Sequence, residues 1–163
     1  NADISIKPFI SGGGQERNMR AGTENVYGIA GLSKAMDVSY SNLKEHRTHI
    51  EMLKQHMING LKNAIPDVEF NGESGSLEKS LYTVLNVRFP QTEIGEMLYY
   101  NLDILGIASS AGSACSSGSN LGSHVLKAIG KDMNRPSLRF SFSKYNTIEE
   151  INYTVNQLKS LLS

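Results

Sequence analysis

Apolar residues recur every three or four positions between residues 50 and 65, where Ile50, Leu53, Met57, Leu61 and Ile65 share one face of a long helix that Pro66 ends. A second stripe lies at the end of the chain, with Ile148, Ile151, Val155, Leu158 and Leu162 on one side of a helix. Thr147, with Glu150 three residues on, forms a capping box at its start. Between these helices the period changes to two. From Ser80 to Phe89, the residues Leu81, Thr83, Leu85, Val87 and Phe89 alternate with Tyr82, Val84, Asn86 and Arg88, which predicts a strand. After Pro136, Leu138, Phe140 and Phe142 alternate with Arg139 and Ser141, which predicts another over Ser137 to Ser143.

Other segments carry shorter signals. An extended start, Ile4 to Ile10, runs into the cluster Gly12-Gly13-Gly14. Thr23 reads as an N-cap with Glu24 in the first turn of a helix that carries Val26, Ile29, Ala30 and Met36. A helix from Glu93 to Leu102, a strand from Ile104 to Ser109, and a short helix from Ser123 to Ile129 closed by Gly130 complete the set. This order favours an α+β fold, a largely antiparallel sheet of three to four strands with flanking helices. Residues 1 to about 40 look less self-sufficient than the rest, so a single folding unit with a loose arm is expected.

Composition narrows the function classes. With 163 residues, 39% of them hydrophobic, the chain can bury a core, and 16 basic against 16 acidic residues leave no net field to attract nucleic acid or an anionic membrane. No apolar run reaches the roughly 20 residues that span a bilayer, and no signal peptide is present, which points to the cytoplasm. The chain does not begin with methionine, and Asn1-Ala2 reads as the scar of a removed tag on a piece cut from something longer. His46, His49 and His56 lie on the long helix among Glu45, Arg47, Glu51, Lys54 and Gln55. That pattern reads as a solvated face, and no spacing completes a metal site.

The single cysteine excludes an internal disulfide. Cys115 is then either a buried apolar filler or a reactive thiol, and its surroundings, Ser109-Ser110-Ala111-Gly112-Ser113-Ala114 before it and Ser116-Ser117-Gly118-Ser119 after it, offer nothing large to pack against it. Such a loop could carry a sulfur atom to its target. Arg139 shares its strand face with small serines, which reads either as an ordinary solvent-facing arginine on an edge strand or as a site for bidentate binding of a carboxylate. The segment Gly12 to Thr23, with Arg17 and Arg20, reads either as a phosphate-binding turn or as a glycine turn before a capped helix. Neither P-loop nor dinucleotide spacing is present.

Gly12-Gly13-Gly14-Gln15-Glu16 with Arg20-Ala21-Gly22-Thr23-Glu24-Asn25, then Ser110-Ala111-Gly112-Ser113-Ala114-Cys115, then Leu138-Arg139-Phe140-Ser141 resemble the cysteine desulfurases of iron–sulfur cluster assembly, in the same order along the chain. The Ser-Gly-Ser-Ala-Cys form is similar to the subgroup with a long catalytic loop. The resemblance implies a fold-type I pyridoxal-phosphate enzyme of aminotransferase class V, working as a homodimer on L-cysteine. It would leave alanine and a persulfide that passes to a sulfur-acceptor or scaffold protein. By the same resemblance, Cys115 would be the nucleophile, Arg139 would hold the substrate carboxylate, and Thr23 would reach the cofactor phosphate across the dimer. Residues 1–40 would be the tail of the large cofactor-binding domain and 41–163 the C-terminal small domain, with the cysteine loop at about 109–122.

One departure matters. The family's Schiff-base lysine lies in a Ser-x-His-Lys-x-x-Gly-Pro context, and no such context occurs in these 163 residues. The chain alone is expected neither to hold pyridoxal 5'-phosphate nor to turn over cysteine. Two other readings remain open: a selenocysteine lyase or another class V enzyme, and a persulfide carrier or docking module without activity of its own.

Overall fold

The computed structural model describes residues 9–111, 123–130 and 134–163, with the backbone alone at Glu96. It divides into two units, Asn1–Leu43 and Lys44–Ser163.

In the first unit, the glycine cluster opens a two-stranded antiparallel hairpin of β1 (Gly14–Gln15) and β2 (Arg20–Ala21), closed by a Gly22 N–H to Gly13 carbonyl bond of 2.9 Å. Its tip puts three non-glycine residues in the left-handed region, Glu16, Arg17 and Asn18, at φ of 47°, 54° and 65°. Helix α1 (Val26–Ser41) follows. The predicted cap at Thr23 is not the one formed: Asn25 caps α1, its side chain accepting from Gly28 N–H at 3.0 Å, and Glu24 instead pairs with Arg20 ahead of the helix. Asparagine is as good a cap as threonine, so the local rule was satisfied two residues later.

The second unit is built from the two helices that the periodicity marks most strongly. Helix α2 (Leu43–Ala64) buries Ile50, Leu53, Met57, Ile58 and Leu61, and α5 (Ile148–Leu162) buries Ile151, Val155 and Leu158. The capping box forms as the spacing predicts, with Thr147 Oγ1 accepting from Glu150 N–H at 3.3 Å and Glu150 Oε2 accepting from Thr147 N–H at 3.1 Å. The helices approach closely at Gly60, where a Cβ would lie 3.2 Å from Val155 Cγ2, so no larger residue fits without displacement.

Both helices pack on a four-stranded antiparallel sheet ordered β3-β4-β6-β5. The strands are β3 (Glu69–Phe70), β4 (Val84–Arg88), β5 (Ser110–Ala111) and β6 (Ser137–Ser141), with α3 (Leu98–Ile104) and α4 (His124–Ala128) between them in sequence. Leu85, Val87, Leu138 and Phe140 point from the central strands into a core shared with Phe89, Leu98 and Leu102. Each fully buried aliphatic or aromatic side chain there is worth roughly 1.5–3 kcal/mol. The predicted α+β antiparallel sheet is therefore the observed one.

Several boundaries differ from the sequence reading. The strand read from Ser80 begins at Val84, because residues 71–81 form a turn-rich loop tied to α2. The strand read over Ile104 to Ser109 is displaced: α3 continues through Ile104, Gly106 takes a left-handed φ of 75°, and pairing begins only at Ser110. Lys54, read as part of a solvated face, is fully buried, because that same 71–81 loop folds over it. Among the described residues, no helix is long and apolar enough to cross a membrane.

Candidate functional site

The sheet has one apolar face, covered by helices, and one polar face. Alternation along β6 puts Leu138 and Phe140 in the core and leaves Ser137, Arg139 and Ser141 on the other side. Register then brings residues distant in sequence beside them. Arg139 stands opposite Asn86 of β4 and opposite Ser110 of β5, so one row of side chains runs across three strands. Among the described residues, the exposed Arg139 guanidinium has no hydrogen bond or ion pair.

Asn86 is held firmly. Its backbone carbonyl accepts from Asn71 N–H at 2.9 Å and from Ser74 Oγ at 2.9 Å, and its side-chain Oδ1 accepts from Asn71 Nδ2 at 2.9 Å. Asn71 is itself buried and donates a second bond to Ser137 Oγ at 3.0 Å. At the far edge, Glu69 receives Arg88 at 2.9 Å and Arg135 at 2.6 Å. Arg135 also donates to the Phe89 carbonyl at 2.9 Å and to the Asp67 carbonyl, which fastens the entry of β6 to the ends of β3 and β4.

The sequence-predicted residues fall in three different situations. Arg139 lies on the polar face, within the second unit. Thr23 lies in the first unit, exposed in the loop between β2 and α1. Cys115 lies outside the described residues. The described residues nearest it in sequence are Ala111, at the end of β5 paired to β6, and Ser123, whose side chain accepts from Leu126 N–H at 3.4 Å and caps α4. His49 is half-buried on α2, with Nε2 2.9 Å from the Asn146 carbonyl, and exposed His56 Nε2 lies 2.7 Å from Asn152 Oδ1.

The described residues do not compose a pyridoxal-phosphate site. Lys54, the buried lysine, donates to Ser80 Oγ at 2.7 Å and the Leu81 carbonyl at 3.0 Å, and burial pushes its ammonium below the ordinary lysine pKa. It serves as a strut between α2 and the loop above it. A cavity of about 540 Å³, lined by Met57, Ile107, Phe140, Phe142, Tyr153 and Thr154, opens on the helix side of the sheet. Arg139 projects from the opposite face, so the chemistry it offers lies away from that cavity.

Asn71, Asn86, Lys54 and Arg135 were not singled out by motif. Asn86 has the right alternation phase to share the face of Arg88, but sequence alone does not tell which residue of β6 it meets.

The class-V aminotransferase family matches residues 6–154. The chain belongs to the class-V aminotransferase family. Among curated class-V relatives, it is 39% identical over 161 residues to the cysteine desulfurase IscS of Clostridium botulinum, covering 98% of this chain and 40% of that protein. It is 38% identical over 159 residues to the cysteine desulfurase IscS of Dictyoglomus turgidum, covering 96% and 39%. Among solved structures, a NifS-like protein superimposes with a TM-score of 0.75 at 35% identity, over 98% of this chain and 40% of that one. The NifS-like protein of Rickettsia africae gives 0.73 at 28% identity, over 98% and 41%. This class-V chain thus spans about 40% of the length of the relatives it matches, and its α+β architecture is a fragment of theirs.

Proposed function

We propose that this chain is the C-terminal portion of a pyridoxal-phosphate-dependent cysteine desulfurase, with Cys115 as the sulfur acceptor, Arg139 as the carboxylate-binding residue and Thr23 as a phosphate contact. The observation that carries the reading is the guanidinium of Arg139 on the polar face, without a partner among the described residues and directly opposite Ser110 on the strand that leads into the Cys115 segment. Ser110 and Cys115 are joined by five peptide links, which span at most about 18 Å. A substrate held by Arg139 and a thiol carried on that tether can therefore be brought together. The names of the relatives support the substrate class.

The net reaction is L-cysteine plus the Cys115 thiol giving L-alanine plus a Cys115 persulfide. The substrate C–S bond breaks, an S–S bond forms, and the proton released from the two thiols is taken up at the alanine carbon. A pyridoxal ring held by the complete parent protein would supply the electron sink for this reaction, and the residues of this chain do not hold one by themselves. Their share is binding, orientation and acceptance of sulfur. An ordinary thiol is only a few per cent thiolate at neutral pH, so Cys115 gains from any cation that approaches it in the assembled protein. The persulfide then passes to a sulfur-acceptor protein, and the homodimer would bring Thr23 of one subunit to the cofactor phosphate of the other.

The test is the complete parent enzyme, with wild type compared with Cys115→Ala for pyridoxal absorbance and for alanine and sulfide release from cysteine. Retained cofactor with lost sulfur transfer in the variant is the expected result. Full desulfurase activity in Cys115→Ala overturns the assignment.

A further inference from the structure

We propose that the carboxylate site on the polar face is built by three strands, with Asn86 and Ser110 flanking Arg139 and fixing the orientation of the bound carboxylate. The inference rests on the reading that Arg139 binds a carboxylate and adds the residues that decide how the ligand lies.

The first argument is register. Backbone bonds between β4 and β6 and at their ends are made at odd-numbered positions of the β4 segment: Phe89 N–H donates to Pro136, and Phe142 N–H donates to Thr83. Asn86 turns its N–H and carbonyl the other way, to Ser74 and Asn71. Asn86 and Arg139 are therefore a non-hydrogen-bonded pair, the narrow kind, with Cα atoms about 4.5 Å apart and side chains in close reach. Ser110 flanks Arg139 from β5 on the same face.

The second argument is hydrogen-bonding capacity. With Oδ1 of Asn86 occupied by Asn71, the group left over is its NH₂, which donates to no described residue. The Ser110 hydroxyl and the Arg139 guanidinium are likewise without partners among the described residues. The acidic residue of this face, Glu69, is engaged by Arg88 and Arg135 at the far side of the sheet. What remains among the described residues is the Arg139 cation between two neutral donors. That set matches a monoanion with two oxygens: the guanidinium fork takes the charge, and the amide and hydroxyl take the remaining lone pairs. A dianionic phosphate would leave a charge uncompensated. The ligand class is a small carboxylate such as that of an amino acid.

Backbone amide shifts of residues 84–88 and 137–141 in the ¹⁵N-labelled chain would be followed while titrating sodium acetate or L-alanine, with inorganic phosphate as comparison. Wild type should saturate with acetate and L-alanine more tightly than with phosphate. Asn86→Ala and Ser110→Ala should each weaken acetate binding about three- to tenfold, the loss of one hydrogen bond. Asn86→Asp keeps the acceptor for Asn71 but replaces the donor with a charge that pairs with Arg139, and should weaken binding more than about tenfold. Unchanged amide dispersion away from the site excludes misfolding in each variant. If Arg139→Gln abolishes binding while the Asn86 and Ser110 variants bind as wild type, the three-strand cradle is wrong and the role of Arg139 stands. If wild type shows no saturable shift, or Arg139→Gln binds like wild type, the carboxylate reading itself fails.

Discussion

Arg135 is the side chain whose removal should be most informative about how the polar face is held. Its guanidinium makes an ion pair with Glu69 at 2.6 Å, donates to the Phe89 carbonyl at 2.9 Å and donates to the Asp67 carbonyl. In Arg135→Ala the three losses differ. Glu69 is 42% exposed in its side chain and keeps Arg88, so the ion pair contributes about 0.5 kcal/mol. The Asp67 residue is exposed and its carbonyl can turn to water, at a cost near 0.5 kcal/mol. Phe89 is fully buried, and leaving its carbonyl unpaired costs about 1–2 kcal/mol. The total is about 2–3 kcal/mol. Urea denaturation followed by circular dichroism should show the midpoint falling by about 1–2 M with an unchanged slope. Arg135→Lys should recover less than half, because an ammonium cannot serve three acceptors in fork geometry. A loss below about 0.5 kcal/mol in Arg135→Ala would mean that water replaces these bonds freely and that Arg135 does not anchor β6.

Thr147→Ala should lower stability by about 1 kcal/mol through loss of the α5 cap, measured by thermal melting. Glu150, held below the usual carboxylate range by hydrogen bonds from the Asn146 side chain and then the Thr147 backbone, contributes stability that is present above its unfolded pKa and lost as pH falls through the lower folded value. Glu150→Gln should therefore flatten the acid side of the stability profile, and an unchanged acid limb would refute the box's electrostatic share. For Lys54 the sign is opposite to that of a salt-bridged lysine. Its folded pKa lies below 10.5, so the unfolded chain binds more protons and stability rises with pH between the two values. The stability difference between wild type and Lys54→Met should shift in favour of wild type from pH 7 to pH 10 in denaturant titrations, and a pH-independent difference would show that burial does not perturb this amine.

How far the sequence could be read depends on whether each feature is local. The stripes of α2 and α5, the capping box at Thr147 and Glu150, the alternation of β6 and the glycine closing α4 involve residues within a turn or two of each other, and each formed where its pattern lies. Thr23 missed because Asn25 offered an equivalent cap. The Ile104 to Ser109 stretch missed because apolar residues at a helix end and at a buried crossing look alike in a short window. Lys54 missed because its burial depends on Ser80 and Leu81, far along the chain, closing over it.

By itself the sequence determined the two amphipathic helices, the alternating strands, the α+β class and the motifs that ally the chain with class-V aminotransferases. The elements and the fold class follow from local periodicity and residue chemistry, and the alliance rests on the resemblance of those motifs to the family's. Only the tertiary structure decided that Asn86 and Ser110 stand on either side of Arg139, that Asn71 fixes the amide of Asn86, and that Arg135 ties β6 to β3 and β4. Cross-strand neighbours are set by register between distant segments, and a slip of one residue would turn Arg139 into the core and Phe140 out of it, so the packed apolar face selects the one register that assembles the polar one.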